Sequence, residues 1–157
     1  YISLLKKPFD LINFKNLGIE PNLIPLQKIK IIGIFKKKNR NIKNLLLDQS
    51  IITGIGNIYA SEILYDAKID PMRTGISIKK NEYEKILVSC VKVIKKAILK
   101  GGTTIKDYKN IEGKLGYFQT EFKVYDRKGL PCYKCKNLIK KIKQNGRSTY
   151  YCYKCQK

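Results

Sequence analysis

The stretch that decides the fold is LLLDQSIITGIGNIYASEILYDAK, residues 45–68. Its first apolar run belongs to a buried helix that begins near Ile42, and its second half predicts another helix over residues 57–67. Between them, Gly54 and Gly56 allow tight backbone curvature and the close approach of another molecule. Unpaired N–H groups at the start of the second helix favour a phosphate, with Asn57 as a further donor. On these residues alone, the alternative is a glycine turn that binds nothing.

The flanking sequence predicts two more helices around this pair. One lies near Pro25–Gly33 and is followed by a basic run over residues 36–40. The other is a long amphipathic helix over residues 78–100, with Ser77 as its N-cap and Gly101-Gly102 as its stop. Cys90 falls on its apolar face and is interpreted as a small core residue. Residues 103–118 read as a polar loop, and residues 121–125 alternate like a strand.

Four cysteines near the end of the chain form two short pairs, Cys132-x-x-Cys135 and Cys152-x-x-Cys155, separated by 16 residues. Two tight turns held by a hairpin present four thiolates as a tetrahedron, which is the geometry that a structural zinc ion requires. The pattern therefore predicts one structural Zn²⁺. Two disulfides in a secreted chain are the alternative, although no secretory leader is visible in the sequence.

Composition narrows the function classes. The chain has 157 residues and a net charge of +21, from 33 Lys+Arg against 12 Asp+Glu. Such a charge points to a polyanion, with nucleic acid favoured over a membrane surface and a solvated lysine face as the alternative. With no histidine, the chain holds no Ser-His-Asp triad and no histidine metal ligand. Its apolar runs are too short for a membrane span. Because the first residue is Tyr1, a cleaved leader or a missing upstream region must be considered.

Several motifs together resemble the C-terminal half of formamidopyrimidine-DNA glycosylase. They are LGIEP at residues 17–21, GIGNIYASE at 54–62, GGTT at 101–104 and VYDRKGLPC at 124–132, followed by the terminal cysteines. The resemblance implies a mainly helical domain of the helix–two-turn–helix type, followed by a small β-hairpin zinc finger. We accordingly predict a linker over residues 1–24, a helical DNA-binding domain over 25–118 with a lesion-capping loop at 101–118, and a zinc finger over 119–157.

The resemblance also implies site residues. Lys43 and Asn57 match the positions that bind phosphates at the lesion, and Asn39 matches a DNA-contacting position that is more often lysine, with Lys38 or Arg40 as the alternative contact. Arg147 matches an arginine that grips phosphates beside the lesion and is assigned a proton-donor role in δ-elimination. A guanidinium rarely releases a proton, so the clamp role is favoured. The loop expected to face the extruded base contains Ile105, Lys106, Asp107 and Tyr108.

The family chemistry that the resemblance implies is excision of oxidised purines (formamidopyrimidine and 8-oxoguanine), then β,δ-elimination at the abasic site. It uses an N-terminal proline nucleophile, with a glutamate and a lysine of the same domain, and none of these is found in this chain. We therefore expect little or no activity from the chain alone. The expected partner is double-stranded DNA with oxidised bases, bound by a monomer.

Three alternatives stay open at this stage. The chain is a fragment of a complete repair enzyme, or a free-standing non-catalytic zinc-containing DNA-binding module, or a gene remnant. Within the family, the alternative is an endonuclease VIII-type enzyme that acts on oxidised pyrimidines. The expected location is the bacterial cytoplasm, in association with the nucleoid, or an organelle of bacterial origin.

Overall fold

The computed structural model describes residues 17–101 and 121–157. A 3₁₀ turn, Pro21–Leu23, leads into helix α1 (Ile24–Phe35), followed by the short helix α2 (Ile42–Leu46) and by α3 (Asn57–Ala67). A second 3₁₀ turn, Gly75–Ser77, precedes the long helix α4 (Lys80–Leu99). Strands β1 (Lys140–Gln144) and β2 (Arg147–Tyr151) form an antiparallel hairpin. The predicted fold class, a helical domain followed by a β-hairpin finger, is confirmed.

The helical core is built from the apolar positions that the sequence periodicity indicates. Helix α4 packs against both α1 and α3, and Cys90 lies fully buried at the centre of its inner face. Burial raises the pKa of that thiol, so it behaves as a small apolar side chain, as predicted. In the part of the chain that the structure describes, none of the helices combines the length and apolar character that crossing a bilayer requires.

Two local predictions are wrong. Ser77 does not cap the long helix, because it ends the 3₁₀ turn, and Lys79 is the N-cap, with its N–H bonded to Glu82 Oε2 at 2.8 Å. Residues 121–125 do not form a strand. Their backbone amides are satisfied instead by the buried carboxylate of Glu62 on α3, which accepts hydrogen bonds from the N–H groups of residues 123, 124 and 125 at 2.8–3.0 Å.

This carboxylate joins the zinc finger to the helical domain. Glu62 is 5% exposed, and burial raises its pKa, while the three amide donors favour its ionised form. Strand β2 packs along α3 as well. The backbone amides on Glu62 and the packing of strand β2 both hold the finger against the helical domain.

Gly75 lies where the chain has no room for a side chain, and this gives a stability prediction. A Cβ there would sit only 2.7 Å from the Lys38 carbonyl oxygen and would also clash with that of Phe35. We expect Gly75→Ala to lower the free energy of unfolding by about 2 kcal/mol, measured by denaturant titration. Gly33→Ala is the control, because Gly33 lies within α1 and a Cβ at that position would meet no atom within 4 Å. It should raise stability by about 0.5–1 kcal/mol, and equal losses in both variants would contradict the prediction.

Candidate nucleic-acid interface and metal centre

The four C-terminal cysteines converge on one point. The Sγ atoms of Cys132, Cys135, Cys152 and Cys155 all lie within 4.8 Å of one another, and none of the four thiols is in a disulfide. Two of the separations are 3.4 Å for Cys135–Cys152 and 3.9 Å for Cys132–Cys155. A tetrahedron with Zn–S bonds of about 2.3 Å has edges near 3.8 Å, so this donor set fits zinc. The disulfide alternative is not what the structure shows.

Neighbouring side chains hold these cysteines in place. The Tyr65 hydroxyl of α3 lies 3.2 Å from Cys132 Sγ. Burial raises the pKa of Tyr65, so the hydroxyl stays protonated and donates to the sulfur once this is a thiolate. Gln156 accepts the N–H of Cys152 at 2.8 Å and donates to the Ile69 carbonyl at 2.9 Å. The metal centre is thus anchored to the helical domain from both knuckles.

A second cluster forms around the ammonium of Lys43, which is 1% exposed. Its Nζ donates to Asn57 Oδ1 at 2.6 Å, to Thr149 Oγ1 at 2.7 Å and to the Ser148 carbonyl at 2.9 Å. Burial, reinforced by the positive charge of Arg147, lowers the pKa of Lys43 to about 8. A side chain of α2 therefore ties the start of α3 to strand β2.

Asn57 begins α3 and is oriented by this network. Its Oδ1 accepts a hydrogen bond from Lys43, and its Nδ2 donates one to the Ser148 carbonyl at 3.0 Å. The second proton of the Nδ2 amide stays available. The N-cap is Gly56, which has no side chain to bond the first amides of the helix. The turn before it is fixed by Gln49, which accepts the N–H of Gly54 at 2.8 Å. The start of α3 thus presents hydrogen-bond donors in a fixed geometry.

Arg147 completes this cluster from the hairpin. It is the first residue of β2 and is exposed, and its charge acts on Lys43. Two cations and a helix N-terminus without a capping carboxylate create a local positive potential that suits a phosphate group. We call Lys43, Asn57 and Arg147 the phosphate clamp. The structure brings together these three of the predicted site residues.

The other predicted residues lie elsewhere. Asn39 is in the exposed turn between α1 and α2 and takes no part in the hydrogen bonds of the phosphate clamp, while its neighbour Arg40 pairs with Asp48 at 2.9 Å. Residues 105–108 fall outside the described residues.

Two side chains that support the phosphate clamp were not predicted from the sequence. Thr149 donates to Gln144 Oε1 at 2.7 Å, and Gln144 donates to the Pro71 carbonyl at 3.2 Å. Both are buried near the turn of the hairpin, and nothing in the sequence pattern indicates this.

Known families match both parts of the chain. Residues 17–109 match the formamidopyrimidine-DNA glycosylase H2TH domain, and residues 129–157 match a zinc finger found in FPG and IleRS. With this second match, the prediction of one structural zinc ion is confirmed.

Curated relatives share much of the sequence. A formamidopyrimidine-DNA glycosylase of Prochlorococcus marinus (strain MIT 9215) is 47% identical over 142 residues, which is 90% of this chain and 48% of that protein. One of Rickettsia africae is 45% identical over 156 residues, which is 98% of this chain and 55% of that protein. The chain spans about half the length of the curated relatives it matches.

Solved structures share the fold. The MutM (Fpg) protein of Thermus thermophilus superposes with a TM-score of 0.85 at 36% identity, over 90% of this chain and 54% of that one. The Lactococcus lactis Fpg, in a complex with DNA that contains an abasic site, gives 0.85 at 32% identity, over 95% of this chain and 55% of that one.

Proposed function

Because the chain belongs to the formamidopyrimidine-DNA glycosylase family, we propose that it is the DNA-binding half of a base-excision repair enzyme. That enzyme excises oxidised purines and cuts the abasic strand by β,δ-elimination. Support comes from the Lactococcus lactis relatives, whose solved complexes contain abasic-site DNA or Fapy-dG DNA. The proposed partner is double-stranded DNA, bound by a single copy of the chain. The proposed location is the bacterial cytoplasm, in association with the nucleoid, or an organelle of bacterial origin.

The observation that carries this proposal is the phosphate clamp itself. Its members come from α2, α3 and β2, so the helical domain and the zinc finger build one site together. Asn57 offers a neutral donor, and Arg147 offers a planar fork that bonds two phosphate oxygens at once. Lys43 uses its three protons within the protein, so we assign it the task of orienting the Asn57 amide and supplying positive charge behind it.

Residues outside the phosphate clamp are assigned from the family resemblance. Asn39, in the exposed basic run, is assigned to a contact with DNA, with Lys38 or Arg40 as the alternative. Residues 105–108 are assigned to the loop that faces the extruded base. Extrusion is expected because a glycosylase cannot reach the sugar carbon of a stacked nucleotide. Arg147 is assigned to the contact with phosphate and not to proton donation, because a guanidinium rarely releases a proton.

Catalysis is assigned to groups that this sequence does not contain. The family nucleophile is an N-terminal proline, which attacks the sugar as a secondary amine and forms a Schiff base. The chain alone should therefore bind DNA without efficient cleavage. Borohydride trapping on a duplex that contains 8-oxoguanine tests this expectation, and covalent capture at the rate of a complete family enzyme would overturn it.

Loss of Asn57 or of Arg147 from the phosphate clamp should weaken binding to all DNA sequences by a similar factor. We expect Asn57→Ala and Arg147→Gln each to lower the affinity for duplex DNA about tenfold or more, since each removes hydrogen bonds to a charged group. Arg147→Gln should also reduce the slope of log K against log salt by about 1. Fluorescence anisotropy with several duplex sequences measures both effects.

The controls for this test are exposed residues of α4. Asn81→Ala and Lys95→Gln remove an amide and a charge of the same kinds away from the phosphate clamp. They should change the affinity less than twofold. Losses confined to one DNA sequence would contradict the proposal, because contacts to phosphates carry no base information.

A further inference from the structure

A second basic surface lies along β1, where that strand faces the segment that precedes it. A cavity of about 670 Å³ opens there. No acidic side chain is among its described lining residues, and four of them are lysines. The lysines are Lys128, Lys136, Lys140 and Lys141, and the lining also includes Leu138, Ile142 and Tyr153. We call this cavity the outer groove.

Most of the outer groove extends away from the phosphate clamp along the hairpin. Lys140 pairs with Tyr151 at one end of the hairpin, whereas Gln144 pairs with Arg147 at the other end. These two pairs are four residues apart along β1, which corresponds to about 13 Å. Strand β2 is the one that packs along α3, so the outer groove opens beside the opposite strand. The groove also includes Ile142, whose cross-strand partner is Thr149, so only its Lys140 end and the residues before β1 lie away from the phosphate clamp.

The ring of Tyr153 is fixed in position and partly exposed in this groove. Its hydroxyl donates to Asn137 Oδ1 at 3.0 Å, which fixes the ring, and 43% of the residue is exposed. Lys140 Nζ lies 4.2 Å from the ring centroid. A long lysine side chain leaves such a position at small cost when a phosphate offers a stronger partner, and the ring is then free to stack.

Lys136, which lines the groove, has an unfavourable backbone conformation. Its φ of 64° lies in the left-handed region, which glycine adopts with less strain than any other residue. It is exposed, and its N–H completes the first zinc knuckle by bonding the Cys132 carbonyl at 2.9 Å. A glycine would adopt this conformation with less strain. The lysine at this position contributes a positive charge to the groove.

We propose that the outer groove binds a segment of single-stranded nucleic acid, with a base on Tyr153 and Leu138 and its phosphates on the surrounding lysines. Proteins that hold single strands combine a basic track with aromatic side chains on which bases stack. A groove lined by four lysines together with Leu138, Ile142 and Tyr153 matches that composition, whereas a duplex offers mainly phosphates and keeps its base faces stacked inside. This activity is independent of the proposed repair function.

Binding of a labelled twelve-nucleotide oligo-dT by the full chain, measured by anisotropy at low salt, tests the proposal. We expect Tyr153→Leu to weaken binding about tenfold, and Tyr153→Phe, which keeps the ring, to stay within threefold of the unchanged chain. The double variant Lys136→Gly with Lys140→Gln should lose at least fivefold. Its glycine suits the backbone at position 136, so this variant tests the groove without endangering the knuckle.

Matched variants separate the possible outcomes. Lys85→Gln with Lys95→Gln removes two exposed charges from α4. An equal loss of oligo-dT binding in this control would show a general lysine surface and overturn the proposal, as would competition by poly-glutamate at equal charge. Arg147→Gln should weaken duplex binding and spare oligo-dT binding. If it weakens both equally, the strand occupies the phosphate clamp, and the outer groove has no such role.

Discussion

Removal of zinc is expected to lower the affinity for duplex DNA by at least about 100-fold. The hairpin has two strands of five residues each, which is too little structure to be stable by itself. Structural zinc contributes on the order of 10 kcal/mol to the folding of such modules. Without it, β2 no longer carries Arg147 and Thr149 to α3, and the phosphate clamp is lost.

Chelation or Cys132→Ser provides the change, and the readouts are zinc content, circular dichroism and DNA anisotropy. We expect one zinc per chain, retained helical signal after chelation, and recovery of binding when zinc returns. Cys90→Ala is the matched control, because Cys90 is buried in the helical core away from the metal centre. It should keep both zinc and affinity. Full affinity after complete chelation would show that the finger takes no part in binding.

Duplex affinity is also expected to fall as pH rises from 7 to 9.5, by up to tenfold per pH unit above 8. The reason is Lys43, whose pKa in the free protein is lowered to about 8 by burial and by Arg147. A bound phosphate raises that pKa again, so binding above pH 8 takes up a proton. Anisotropy titrations across this range measure the slope.

The variant Lys43→Met should abolish this dependence below pH 9.5, while Lys95→Gln should leave it unchanged. Folding stability should move in the opposite direction. Between pH 8 and the ordinary lysine pKa of 10.5, the unfolded chain holds a proton on Lys43 that the native chain lacks, so the stability contributed through this group rises with pH. A pH slope of DNA binding that persists in Lys43→Met would assign the proton to another group.

Features with local causes are the ones that the sequence predicts well. Apolar spacing locates helices α1 to α4 within a few residues, and the spacing of the cysteines indicates the metal centre. Features with distant partners are missed. Residues 121–125 alternate like a strand, but the partner of their amides is the Glu62 carboxylate, some sixty residues earlier, and no local pattern shows this.

The same limit applies to the phosphate clamp. Family resemblance selects Lys43, Asn57 and Arg147 one by one, and only the fold shows that the Lys43 ammonium is enclosed by Asn57 and Thr149. Thr149 and Gln144 carry no signal in the sequence, because their role arises from packing between the two domains. The roles of Asn39 and of residues 105–108 stay predictions.

The hydrogen bonds of Lys43 have a consequence for the synthesis of this protein. Its partners on β2 lie 105 and 106 residues further along the chain. The ribosome makes the helical domain first, and the phosphate clamp is assembled only after strand β2 emerges. A product of premature termination that lacks the hairpin would also lack Arg147 and the two β2 oxygens that accept from Lys43, so its phosphate clamp would be incomplete.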